Sequence, residues 1–117
     1  MNVPLGQMEQ RALLVKGLYD ERNRLVGREW TREEFMLGFV GDVGDLAKLA
    51  AAAEGARQIP DWRRALEHEL SDCLWSVLIL ARLHDVDLPA AFFRTMAELE
   101  KSVEADIERA RSSAGLV

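Results

Sequence analysis

The 117-residue chain is poor in the residues that staple, break or anchor a fold: it has one cysteine and three prolines, and basic residues are outnumbered by acidic ones, 15 to 20. A lone thiol, Cys73, has no partner for an internal disulfide, which suits a reducing compartment. Pro4, Pro60 and Pro89 each fall at or near a plausible helix start, so no proline interrupts the segments between them. A net charge of −5 argues against a general nucleic-acid binder, which would show a basic face. A nucleotide ligand remains compatible with that charge, because a metal ion can supply positive charge locally. The longest apolar run, CLWSVLILA from Cys73 to Ala81, is far short of the roughly 20 residues of a membrane span. The opening MNVPLGQMEQRALL lacks a basic region ahead of an apolar core, so no signal peptide is expected. The expectation is a cytoplasmic chain that contacts neither membrane nor nucleic acid.

What is present is an ordinary globular composition, 49% hydrophobic and 30% charged, in one domain spanning residues 1–117. Apolar residues recur at three- and four-residue intervals, and no segment alternates with period two for long. The pattern predicts four helices and an all-α fold. The first runs from about Leu5 to Val26, with Leu14, Leu18 and Leu25 on one side, and stops near Gly27. The second begins at Thr31, where TREE has the form of a capping box, and reaches about Glu54 before Gly55. The loop GARQI leads to Pro60 in the first turn of the third helix, which ends near Leu83. Asp87 caps the fourth, with Pro89 in its first turn, and the chain loosens into a tail from about residue 112. Short connections make consecutive helices antiparallel neighbours, as in an up-and-down four-helix bundle.

The stretch VGDVGDLAKL, Val40 to Leu49, sits awkwardly inside the second helix. It carries two glycines, each about 1 kcal/mol worse than alanine in a helix interior. Side chains advance by about 100° per residue. With Phe39 as origin, Val43, Leu46 and Ala50 form a core stripe, Asp42 falls roughly 60° to one side between Phe35 and Leu49, and Asp45 lies at the stripe's edge. On the third helix, Glu69 and Asp72 likewise project from an apolar face, among Trp62, Leu66, Cys73, Ile79, Leu80 and Leu83. Two neighbouring helices thus each aim an acidic i, i+3 pair inward. Like charges converging in a low dielectric are unfavourable unless a cation lies between them, and hard divalent ions such as Mg²⁺ or Mn²⁺ take oxygen ligands of this kind. Gly41 and Gly44 would then allow a helix or ligand to approach the backbone.

Blander readings fit the same residues: ion pairs to Arg63, Arg64, Arg94 or Lys48, or a polar seam between subunits. Di-iron bundles use Glu-x-x-His pairs, and neither His68 nor His84 follows an acid at that spacing; surface or capping roles suit both. No histidine is placed to activate Cys73, which reads as a small buried thiol. Trp30, Trp62 and Trp75 suit a core or interface, and an aromatic face among them can stack on a base.

From about residue 28 to 103 the chain resembles the MazG-like all-α nucleotide pyrophosphohydrolases, which include the dCTP pyrophosphatases and are related to the dimeric dUTPases. Arg28 to Trp30, VGDVGDL against the family's VGEVGEL, HELSDCLW against its E-L-x-D-V-L pattern, and VDLPAAF at the start of the last helix carry the likeness. The resemblance implies Mg²⁺, or Mn²⁺, on Asp42, Asp45, Glu69 and Asp72, the same four acids that the helical wheel isolates. It also implies hydrolysis of a nucleoside triphosphate to the monophosphate and pyrophosphate, in a house-cleaning role. Trp30, Lys48, Trp75, Arg94 and Lys101 are the residues expected on the substrate, and a homodimer or homotetramer the expected assembly. The departures are specific. Both acids of the first pair are one methylene shorter than the family's, Gly41 stands where a glutamate often precedes them, and Thr95, Leu99 and Ser102 replace a lysine, an asparagine and an arginine of the last helix. A non-catalytic nucleotide- or metal-binding regulatory homologue is the alternative these departures favour; a purely structural dimerisation module would not need buried acids.

Overall fold

The structure, a computed structural model, describes residues 2–55 and 58–115. Four helices and no strand occur among the described residues: α1 (Leu5–Leu25), α2 (Arg32–Ala53), α3 (Trp62–Leu83) and α4 (Leu88–Ser113). The chain divides into two compact units, Met1–His84 and Asp85–Val117.

Local chemistry sets most boundaries. Thr31 is extended, its hydroxyl accepts from the Glu34 amide at 3.0 Å, and the Glu34 carboxylate accepts from the Thr31 amide at 3.4 Å, so the expected capping box starts α2. Gly27 and Gly55, with φ of 74° and 81°, follow the ends of α1 and α2, in a conformation glycine adopts without penalty. In the second unit the Asp87 carboxylate accepts from the Ala90 amide at 3.2 Å, with Pro89 in the first turn of α4. The third helix starts later than expected, at Trp62 rather than around Pro60. Asp61 before it is left-handed (φ 55°, ψ 36°), a conformation Asp tolerates, and its side chain makes no cap hydrogen bond because capping needs an extended backbone. Ala56 and Arg57 of the expected loop, and Leu116 and Val117 of the expected tail, lie outside the described residues.

Within the first unit α3 is the common partner, packing against both α2 and α1. Ser76, Leu78 and Ile79 of α3 are buried, Ile79 completely. Two expected core faces are rotated. On α1 the row Leu14, Leu18 and Leu25 is exposed, while Ala12 and Asn23, on roughly the opposite side, are buried. The reason lies in what α3 offers: Trp75 sets its ring against Tyr19 and donates its indole N–H to the Ala12 carbonyl at 3.1 Å, an approach that a small residue permits. On α2 the buried positions are Phe35, Leu49 and Ala52, whereas Val43 and Ala50 are exposed. The line Phe35–Asp42–Leu49, seven residues per step, therefore faces α3, and Asp42 sits in the middle of the buried stripe rather than beside it. α2 and α3 run antiparallel, since Phe35 meets Trp75 while Asp45 meets Glu69.

Gly41 and Gly44 serve no close approach among the described residues. A methyl group built on either has nothing within 4 Å, and both residues are exposed.

Candidate metal centre

The four acids singled out from the sequence come together on facing turns of α2 and α3. Ligand oxygens of Asp42, Asp45 and Glu69 all lie within 4.8 Å of one another, and Asp72 is one turn along α3 from Glu69. Oxygens around one octahedral ion at about 2.1 Å sit about 3.0 Å apart when adjacent and about 4.2 Å when opposite, so the trio needs little adjustment to hold one. Asp42, Glu69 and Asp72 are half-buried, and Asp45 is exposed. One Glu69 oxygen is buried with no hydrogen-bond partner, although a buried carboxylate oxygen is normally satisfied. That orphaned oxygen is the observation that fits a cation here.

The electrostatics are those of uncompensated charge. Burial first, then repulsion from Asp72 and Asp45, raises Asp42 above the ordinary carboxylate value. Glu69 is raised by burial and then by Asp72, Asp42 and Asp45. For both acids the opposing pull of His68 is smaller. Cys73 is pushed up by burial and by Asp42, Glu69 and Asp72, which keeps it a protonated thiol rather than a nucleophile. Lys48 reaches Asp45 only at 4.0 Å, and both side chains are more than half exposed. Arg63 and Arg64 form no ion pair with the four acids among the described residues.

A pocket of about 510 Å³ opens beside the acids, between α1, α2 and α3. Tyr19, Trp30, Phe35, Phe39 and Trp75 make its aromatic wall, and Asp42 and Asp72 line it as well. The rings are mutually packed: Tyr19 lies 5.3 Å from Trp30 and 5.6 Å from Trp75, and Phe35 lies 5.2 Å from Trp75. Glu34, Ser71 and Ser76 add polar groups, and no Lys or Arg among the described residues lines the pocket. Trp30 and Trp75, expected on the substrate, thus share one cavity with two of the expected ligands. Arg94 and Lys101 belong to α4 of the second unit and are exposed.

Sequence reasoning missed one participant and one contact. Tyr19 lies on α1, outside the stretch that carries the family likeness. His68 is exposed, as a surface role requires, and its Nε2 stands 3.1 Å from Asp72 Oδ2; His68, Glu69 and Asp72 place one ligand atom each within 4.8 Å of one another. The i, i+4 spacing of His68 and Asp72 in HELSD was the available signal. No family model, no curated protein and no solved structure matches the chain.

Proposed function

We propose that the chain is a divalent-metal-dependent nucleoside triphosphate pyrophosphohydrolase of MazG-like type, working as a homodimer or homotetramer. The observation that carries this reading is the juxtaposition of four carboxylates, with no buried cation among the described residues, and an aromatic pocket that two of them line. Aromatic faces take a planar base by stacking and give about 1–3 kcal/mol per base. A base stacked on this aromatic wall would direct its phosphates toward Asp42 and Asp72.

Asp42, Asp45, Glu69 and Asp72 would hold Mg²⁺ or Mn²⁺. The metal would neutralise phosphate charge and acidify an attacking water. Hydrolysis places that water's oxygen on the α-phosphorus and breaks its bond to the bridging oxygen, which leaves with pyrophosphate. The water's proton needs an acceptor, and one of the four acids would orient that water or take its proton. The aromatic wall excludes solvent from the base.

That no Lys or Arg among the described residues lines the pocket supports a second reading, a regulatory homologue that binds nucleotide and metal without turnover. The two separate on one assay: pyrophosphate release from a panel of ribo- and deoxyribonucleoside triphosphates, with Mg²⁺ and with Mn²⁺, for wild type, Asp42→Asn and Glu69→Gln. Turnover by the wild type and its loss in both variants is the expected result. A folded protein that metal stabilises but that turns over no triphosphate would establish the regulatory reading instead.

A further inference from the structure

We propose that the outer face of α2 docks on the same face of a second copy of this chain, as an antiparallel helix pair about a two-fold axis between Val40 and Gly41. This names the contact of the expected homodimer and rests on the functional reading only there.

The face is separate from the metal centre. At about 100° per residue, with Gly44 as origin, Glu33, Leu37, Val40, Gly41 and Lys48 fall within about 60°, and Asp42 falls about 160° away. The helix thus turns Asp42 toward α3 and this row to its outside. Leu37 and Val40 are 64% and 59% exposed, and Met36 and Val43 beside them are nearly half exposed. An apolar patch of this kind marks an interaction surface. Glu33, Gly41, Gly44 and Lys48 are exposed as well. The two glycines weaken α2 relative to alanine, and no described residue comes close to them.

Self-complementarity identifies the occupant. In an antiparallel two-fold pair each residue opposes the one equally far beyond the axis, and every contact occurs twice. About an axis between Val40 and Gly41, Val40 opposes Gly41, Leu37 opposes Gly44, and Glu33 opposes Lys48 of the second copy. Each large apolar side chain then meets a glycine, where the missing Cβ leaves a hollow and lets the backbones approach. Both ends of the row close on opposite charges. Glu33 makes no ion pair among the described residues, and Lys48 reaches Asp45 only at 4.0 Å. A partner of another sequence would not require knob, hollow and opposite charges to lie at equal distances from one point of this helix.

The test is sedimentation equilibrium of the full chain over a wide concentration range, beside three variants whose folding circular dichroism checks. The expected result is a wild-type dimer. Lys48→Glu and Glu33→Lys each set like charges opposite one another at both ends of the pair, and each weakens dimerisation at least about tenfold. Mixed in equal amounts, these two variants restore complementary ends and recover a heterodimer of near wild-type affinity. Gly44→Leu fills the hollow opposite Leu37 and also weakens the dimer at least about tenfold. Its diluted monomer melts no lower than wild type, because leucine is the better helix former and has open space there. A wild-type monomer at every concentration, a dimer indifferent to Gly44→Leu, or charge variants that stay monomeric when mixed would each overturn the proposal. A dimer of this behaviour without turnover would refute the catalytic reading alone, and turnover by a protein that stays monomeric would refute this one alone.

Discussion

Replacing Asp42 with asparagine should move stability in opposite directions with and without metal. Asp42 lies in the buried stripe of α2, with Asp45 and Glu69 ligand oxygens within 4.8 Å, and its side chain makes no hydrogen bond or ion pair among the described residues. Two unit charges at 4.8 Å repel by about 0.9 kcal/mol in bulk water and about 3.5 kcal/mol at an effective dielectric of 20. For a half-exposed cluster, relief of about 1–2 kcal/mol is the fitting scale. At about 4 °C per kcal/mol for a chain of this size, Asp42→Asn should melt about 4–8 °C above wild type in EDTA. Metal at 100 times its Kd adds about 2.7 kcal/mol to wild type, or about 11 °C, whereas a variant binding 100-fold more weakly gains about 0.4 kcal/mol, or about 2 °C. Thermal unfolding followed by circular dichroism, in EDTA and across a Mn²⁺ series, measures both effects. If the variant melts at or below wild type in EDTA, the repulsion argument fails. If metal raises both proteins equally, Asp42 is not a ligand.

Three further expectations use other parts of the structure. Because Asp42 and Glu69 are raised above ordinary carboxylate values, the native apo protein binds more protons than the unfolded chain between the ordinary and the raised values, so its stability falls as pH rises through that window. The melting temperature in EDTA should therefore rise as pH is lowered through that window, and this slope should reverse with Mn²⁺ present, where protons compete with the ion. Trp75→Phe keeps a ring against Tyr19 and Phe35 but deletes the N–H donated to Ala12, and should cost about 1–2 kcal/mol in urea unfolding. Gly41→Ala, with nothing within 4 Å of the added methyl, should stabilise the isolated chain by about 0.5–1 kcal/mol; a destabilised variant would mean that the exposed face of α2 is covered in the assembled protein.

Helix positions were legible because their signals are local. Thr31 and Glu34 cap within four residues, Asp87 and Ala90 do the same, and Gly27 and Gly55 mark stops by backbone geometry alone. Facing was less legible, because a helical stripe says which residues align but not which neighbour covers them. On α1 the leucine row is as regular as any, yet the indole of Trp75, 63 residues away, selects the face of Ala12 and Tyr19 instead. The acids were found despite this, since Asp42 lies within roughly 60° of either choice of stripe on α2. The aromatic pocket could not be read at all. Its wall is assembled from three helices and Trp30 of the connection between α1 and α2, and no periodicity within one segment records contacts between segments.

The chain has one tyrosine, and its ring is packed against two indoles, Trp30 at 5.3 Å and Trp75 at 5.6 Å. Light absorbed by Tyr19 is handed to those tryptophans at such range, so the folded protein should emit as tryptophan alone and tyrosine emission should return only on unfolding. Because the same three rings belong to the wall beside Asp42 and Asp72, the pocket carries its own optical reporter. A base that stacks there should dim that emission, and the titration would need neither a label nor turnover.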